Sequence, residues 1–257
     1  MSKLRVLDLF AGIGGFSLGL ERTGGFETVA FCEIETYPQR VLRKHWPEVP
    51  IYDDVRELTA ARLAADGIAV DVITGGFPCQ DISVAGKQAG IGDGTRSGLW
   101  SECARLLGEL RPRYAIFENV SNLLSGPSEK RGGWFSRILC DLAPIGYDAE
   151  WHDICASDVG LPHERSRAWI IAYPSEVWAK PCLQSLPPRQ RAGQFGGGFG
   201  RTGVVRSNKP LLAGDYDGLP GWLDRHCACG NAVVPQIPEL IGRAILEAER
   251  ASMGAAA

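Results

Sequence analysis

The sequence predicts a doubly wound, mostly parallel α/β sheet of Rossmann-like architecture, and three observations carry that prediction. Short apolar runs alternate with amphipathic stretches over the first 174 of the 257 residues. Several runs are almost uninterrupted in apolar residues, as strands are when helices cover both faces of the sheet. A glycine-rich turn follows the first run, at the carboxyl end of a strand, where such sheets bind ligands.

Taken in order, Leu4–Leu9, Glu27–Glu33, Val70–Thr74, Tyr114–Glu118 and Trp169–Tyr173 read as buried strands. Between them Phe16–Arg22, Thr36–His45, Ser97–Leu110 and Gly133–Leu142 have helical periodicity. The character of the chain changes after Pro174. Ser175–Gly218 carries several prolines, the tract Gly196-Gly197-Gly198 and little periodicity. From Lys180 to Ala213 it holds Lys180, Arg189, Arg191, Arg201, Arg206 and Lys209 and no acid. Periodicity returns at Val234, Ile237–Glu247 reads as a helix, and the Ala-rich end is expected to fray. The expected division is a main domain over 1–174, a small irregular lobe over 175–225, and a segment over 226–257 that returns to the main domain.

Hydrophobic residues make up 45% of the chain and charged residues 22%, which excludes a disordered polyelectrolyte. The formal net charge of −3 argues against a surface coated in basic charge, while leaving room for the local basic patch after Pro174. No apolar run approaches a membrane span, and Met1-Ser2-Lys3 leads into a strand without a signal-peptide layout. The eight cysteines follow no framework spacing, which suits a reducing cytoplasm. Cys182, His226, Cys227 and Cys229 do not have zinc-ligand spacing, so no metal is expected.

Two segments carry candidate chemistry. The first is Phe10-Ala11-Gly12-Ile13-Gly14-Gly15, running from the first strand into the first helix. Glycines there let backbone approach a ligand, and Glu33, about 20 residues past them, is placed for ribose hydroxyls. The spacing is Gly-x-Gly-Gly and not Gly-x-Gly-x-x-Gly, which speaks against NAD or FAD. The second is Pro78-Cys79-Gln80, reached from the Val70–Thr74 strand through Gly75-Gly76-Phe77. Alone, Cys79 reads as a small buried hydrophobe. Its address at the end of a strand makes it a candidate nucleophile once a cofactor loop and an acid accompany it.

Together these segments resemble the DNA cytosine-5 methyltransferases. Asp54-Val55, Glu118-Asn119-Val120, Arg165-Ser166-Arg167 and Gly230-Asn231-Ala232-Val233 match in the same order, and Ser83-Val84-Ala85-Gly86-Lys87-Gln88 with Asp93, Arg96 and Leu99 resembles the family's mobile catalytic loop. The resemblance covers the chain except for roughly Ser175–Gly218. It implies methyl transfer from S-adenosylmethionine to carbon 5 of cytosine, with S-adenosylhomocysteine as product. The cofactor would be held by Phe10, Ala11, Gly12, Ile13, Gly14, Gly15, Glu33, Ile34, Asp54, Val55, Pro78, Asn231 and Ala232, with Asp53 as the alternative to Asp54. Cys79 would add to carbon 6, Glu118 would contact N3 and the exocyclic amine, and Arg165 would donate to O2. Arg167 would orient that group or bind phosphate. The Gln usual before the arginine pair is replaced by His163-Glu164, and His163 has no assigned role.

The resemblance also implies double-stranded DNA as partner and a flipped target base. Gln80, Ser83, Lys87 and Arg96, and then Arg189, Arg191, Arg201 and Arg206, would contact the nucleic acid. A cytoplasmic, bacterial or phage-encoded monomer linked to restriction and modification is expected. Ser175–Gly218 is short for the family's target-recognition region. That keeps two alternatives open: a non-catalytic or weakly active DNA-binding homologue, and an RNA cytosine-5 methyltransferase. The latter's usual Pro-Pro-Cys-Gln is absent, since Phe77 precedes Pro78.

Overall fold

The computed structural model describes residues 2–78, 99–125, 133–176 and 231–255. Seven strands form one sheet: β1 (Leu4–Leu9), β2 (Phe26–Cys32), β3 (Ile51–Tyr52), β4 (Val72–Gly75), β5 (Tyr114–Val120), β6 (Tyr147–Cys155) and β7 (Ser166–Pro174). Their order is β3-β2-β1-β4-β5-β7-β6. The first five in that order run parallel, and β7 is antiparallel to both β5 and β6. The helices are α1 (Gly15–Glu21), α2 (Thr36–His45), α3 (Ala60–Ala65), α4 (Trp100–Leu110), α5 (Asn122–Ser125), α6 (Gly133–Leu142) and α7 (Gln236–Ala255). The sheet reverses direction of winding between β1 and β4, and the candidate loops after both strands lie at that switch point, where open α/β sheets place ligands. Among the described residues, no helix is long and apolar enough to cross a membrane.

Strand alternation sorts the core onto two faces. Leu7, Leu9, Ile73, Ala115, Phe117, Ile170 and Ala172 face α4 and α6, where Trp100, Cys103, Leu106 and Leu107 recur at helical spacing. Val6, Val72, Ile116, Trp169 and Ile171 face α1 and α7, meeting Phe16, Leu20, Ile237, Ile241 and Ile245. Each such aliphatic side chain contributes about 1.5–3 kcal/mol through burial. α7 lies close on α1 because Gly242 leaves no side chain there; a Cβ would meet Leu20, Thr23 and Phe26 at 2.9–3.2 Å. The last helix is thus packed against α1.

Several expected elements differ in detail. β2 ends at Cys32, so Glu33 follows the strand and does not close it. β4 starts at Val72, because Asp71 is turned aside to accept both the backbone amide and the guanidinium of Arg5. β7 begins at Ser166 and so takes in Arg167. Helix α7 runs beyond Glu247 to Ala255. Strand β6 escapes the apolar-run criterion because it is an edge strand, with Asp148, Trp151, His152 and Asp153 exposed along it.

Candidate active site

The loop after β1 is shaped by three left-handed residues, Phe10 (φ 50°), Gly12 (φ 53°) and Gly14 (φ 84°). Holding a non-glycine residue such as Phe10 there costs on the order of 1–2 kcal/mol, a strain that concentrates at functional loops. Gly14 is required twice over, since a Cβ would also sit 2.6 Å from the Trp46 ring. Space around Gly12 is open, so only its dihedral selects glycine.

Glu33 fixes this loop. Its carboxylate accepts the Gly12 amide at 2.7 Å and the Glu35 amide at 2.8 Å. Burial pushes its pKa up, and these amide bonds oppose the shift. Gln39 donates to the Glu33 carbonyl oxygen at 2.6 Å and to Asp53 at 2.8 Å, joining the end of β2 to the segment after β3. Asp54 is instead clamped by Arg56, through its backbone amide at 2.9 Å and its guanidinium, which holds the carboxyl below its ordinary pKa. Ile34, 63% exposed beside buried Glu33, leaves an apolar side chain open at the rim, and Val55 is buried close by in sequence to Asp54.

The C-terminal segment completes this end of the sheet. A Cβ on Gly15 would lie 2.5 Å from the Val233 carbonyl oxygen, and one on Gly76 would lie 4.0 Å from the Val233 side chain. Val233 therefore sits between the turn after β1 and the turn after β4, and it carries Asn231 and Ala232 to the same region.

On the other side, alternation in β5 puts Glu118 on the α1 face and Asn119 on the opposite one. Antiparallel pairing sets Glu118 opposite Trp169 and Val120 opposite Arg167, so Arg167 is diagonal to Glu118 on the same face. Arg167 Nε meets Glu118 Oε1 at 2.9 Å, and the Glu118 side chain is only 12% exposed. Arg165, just before β7, adds its positive charge. Burial outweighs both arginines, and the Glu118 pKa is raised. Of the two expected arginines, Arg167 makes the 2.9 Å ion pair with the acid and Arg165 acts on it through its charge. Gly76 lies against this acid, where a Cβ would stand 3.3 Å from Glu118 Oε2. Asn119 donates to the Phe77 carbonyl oxygen at 3.0 Å and accepts the Val120 amide at 2.9 Å, thereby fixing the backbone that leads to Pro78. Sequence reasoning met Asn119 only as the middle of the Glu118-Asn119-Val120 motif.

Cys79, Gln80, Ser83, Lys87, Arg96, Arg189, Arg191, Arg201 and Arg206 lie outside the described residues, as do Cys182, His226, Cys227 and Cys229. The described part brings together the loop after β1, Glu33, Val233, Gly76, Glu118 and the two arginines at one end of the sheet.

A Rossmann-like sheet with an antiparallel β7, a glycine loop with an acid after β2, and a buried acid beside an arginine define the fold of the S-adenosylmethionine-dependent methyltransferases. The structure aligns with a protein encoded within an E. coli prophage at TM-score 0.56 and 29% identity, covering 67% of this chain and 47% of that one. It aligns with Spodoptera frugiperda DNMT2 at TM-score 0.55 and 23% identity, covering 74% and 54%, a likeness of fold. The family model for C-5 cytosine-specific DNA methylase matches residues 4–192, and the chain belongs to that family. It is 33% identical over 200 residues to the Type II methyltransferase M.Sau3AI of Staphylococcus aureus, covering 73% of this chain and 47% of that protein. It is 36% identical over 173 residues to the Type II methyltransferase M2.BsuMI of Bacillus subtilis, covering 66% and 42%. The chain thus spans less than half the length of these curated relatives.

Proposed function

We propose that this chain transfers a methyl group from S-adenosylmethionine to carbon 5 of cytosine in double-stranded DNA. The observation that carries the reading is Glu118: a buried acid of raised pKa, bonded to Arg167 and in contact range of the turn that leads from β4 to Cys79. S-adenosylmethionine, when bound, supplies an electrophilic methyl group.

The residues present fit that cofactor. Glu33 keeps lone pairs for ribose hydroxyls while its amide bonds hold the loop of Phe10, Ala11, Gly12, Ile13, Gly14 and Gly15. Ile34 offers an apolar face and Val55 an apolar wall for the adenine, with Asp54, or Asp53, for its amine. Pro78, Asn231 and Ala232 close the remaining side.

Carbon 5 of cytosine is a poor nucleophile until the ring is activated. The Cys79 thiolate adds to carbon 6, forming a C–S bond and placing negative charge toward N3 and O2. Glu118 in its protonated form delivers a proton to N3, and Arg165 with Arg167 stabilises the charge at O2. Carbon 5 then takes the methyl group, with S-adenosylhomocysteine as the leaving group. Loss of the carbon 5 proton to a base, water serving as well as a side chain, expels the thiolate, the N3 proton returns to Glu118, and the aromatic ring is restored. A base inside a duplex is out of reach of these groups, so it is flipped into the site, and the basic residues Arg189, Arg191, Arg201 and Arg206 serve phosphate contact. The Type II relatives support a place in restriction and modification.

The test is incubation with labelled S-adenosylmethionine and duplex DNA, or tRNA, carrying 5-fluorocytosine. Fluorine blocks the final elimination, so a stable covalent adduct with DNA is expected and should vanish in Cys79→Ser. No adduct with either nucleic acid overturns the enzymatic reading; an adduct with tRNA alone overturns the choice of DNA.

A further inference from the structure

One carboxylate on the α1 face of the sheet takes no part in that chemistry. Asp8, in β1, is fully buried. Its partner across the ladder in β4 is Thr74, whose hydroxyl donates to one carboxyl oxygen at 2.7 Å. The Ser17 hydroxyl, in α1, donates to the other at 2.9 Å, and the Ser17 backbone amide adds a further bond. The charged group that acts on Asp8 is a second acid, Glu33. A buried carboxyl group with no cation partner among the described residues is an expensive way to join three elements. Hydroxyl or amide side chains would join them at lower cost, so adhesion alone does not account for the acid.

The positions of its partners do. Asp8 lies two residues before Phe10, at the root of the left-handed cofactor loop. Ser17 lies three residues after Gly14, at the loop's other root. Thr74 lies five residues before Cys79, on the strand that delivers the nucleophile. Asp8 thus ties both ends of the cofactor loop to the strand that precedes the Cys79 segment in the chain. We propose that Asp8 is a positioning residue that links the cofactor loop to the nucleophile strand, so that S-adenosylmethionine or its product bound on one side alters the reactivity of the thiol on the other. This inference rests on the proposed cytosine-5 methyltransferase reading. A coupling of this kind is carried by contiguous hydrogen-bonded groups and is reciprocal between the two sites.

The experiment follows the alkylation of Cys79 by iodoacetamide in the whole chain, read by mass spectrometry of the Cys79 peptide, with and without saturating S-adenosylhomocysteine. Affinity for S-adenosylhomocysteine is measured by calorimetry and the thermal midpoint by a melting scan. Wild type should bind S-adenosylhomocysteine and show an alkylation rate altered by it. Thr74→Val removes the β4 tie and Ser17→Ala the hydroxyl part of the α1 tie, and each should bring the ratio of the two rates at least about threefold closer to one. The double variant should do no more than Thr74→Val. Asp8→Ala should match it; if that variant fails to fold, the two single variants decide. A ratio unchanged in both single variants, with only the thermal midpoint lowered, makes Asp8 a structural bond and overturns the proposal. Absence of S-adenosylhomocysteine binding to wild type is the distinct failure, that of the functional reading itself.

Discussion

The two ends of the one sheet are built on different terms. At the amino ends of the strands, charges are paired and hydroxyls find carbonyls. Asp71 is bonded to the backbone and guanidinium of Arg5, Arg113 is paired with Glu249, the Tyr114 hydroxyl donates to Glu249 at 2.8 Å, and the Tyr147 hydroxyl donates to the Pro112 carbonyl oxygen at 2.6 Å. At the carboxyl ends, Phe10 is strained, Asp8 and Glu33 are buried with no cation of their own among the described residues, and Glu118 stays above its ordinary pKa in spite of its arginines. One end lowers the free energy of the fold; the other spends part of it holding groups in states that chemistry requires. Substitutions at the carboxyl end should therefore change function more than stability, and those at the amino end the reverse.

The strongest way to break that contrast is Glu118→Gln. The amide keeps the shape of the acid but cannot deliver a proton to N3. Methyl transfer to DNA should fall by roughly 10²–10⁴-fold, while affinity for S-adenosylhomocysteine changes little. Single-turnover rates and calorimetry check the two halves. A rate within tenfold of wild type would remove Glu118 from the chemistry.

Asp8 gives the next largest effect, in the pH dependence of stability. Burial pushes its pKa from an ordinary 3.8 up to about 7, with the Thr74 and Ser17 bonds opposing the shift. The folded state therefore holds the proton more tightly than the unfolded one. Its stabilising contribution is complete below about pH 4 and is lost as pH rises toward 7, by at most about 1.4 kcal/mol per pH unit. Denaturant unfolding at pH 5, 6, 7 and 8 should show wild type losing stability relative to Asp8→Asn over this range. Parallel curves would show that Asp8 is ionised throughout.

The way these features were legible differs by region. The glycine loop, Glu33, Glu118 and the arginine pair are visible in sequence because chemistry fixes their residue types and the order of their motifs. Strand β6 was invisible because an edge strand with Asp148 and Asp153 exposed lacks an apolar run. Asp8 was also passed over, since an acid inside Leu7-Asp8-Leu9 reads as an ordinary interruption; only the pairing with Thr74 and the packing of α1 turn it into a buried anchor. Sequence sets Arg165 and Arg167 on one face of an extended segment and the resemblance gives them different roles, but the 2.9 Å ion pair of Arg167 with Glu118 follows only from the β5–β7 register. Periodicity finds faces, whereas which residue on a face meets which partner depends on register, and register is set by contacts distant in the chain.

Glu33→Gln sharpens the contrast on a smaller scale. One of the two backbone amides, from Gly12 or Glu35, would then face an amide nitrogen in place of an acceptor. Affinity for S-adenosylhomocysteine should fall about tenfold, equivalent to about 1.4 kcal/mol. An unchanged affinity by calorimetry would mean that the loop holds its left-handed turn without Glu33.

Tyr114→Phe is the cleanest control and should leave function least changed, because it acts at the opposite end of β5 from Glu118. It removes one hydroxyl from Glu249, whose remaining partner is Arg113, and leaves the ring that packs against the α1 face. The loss of a buried hydrogen bond to a charged group should lower stability by about 1–2 kcal/mol in denaturant unfolding. Transfer rate and cofactor affinity should be unchanged, because β5 is held in register by β4 at Tyr114–Phe117 and by β7 at Ala115–Val120. If the rate fell with the stability, the sheet would be transmitting strain from one end to the other, and the separation between a stabilising end and a reactive end would fail.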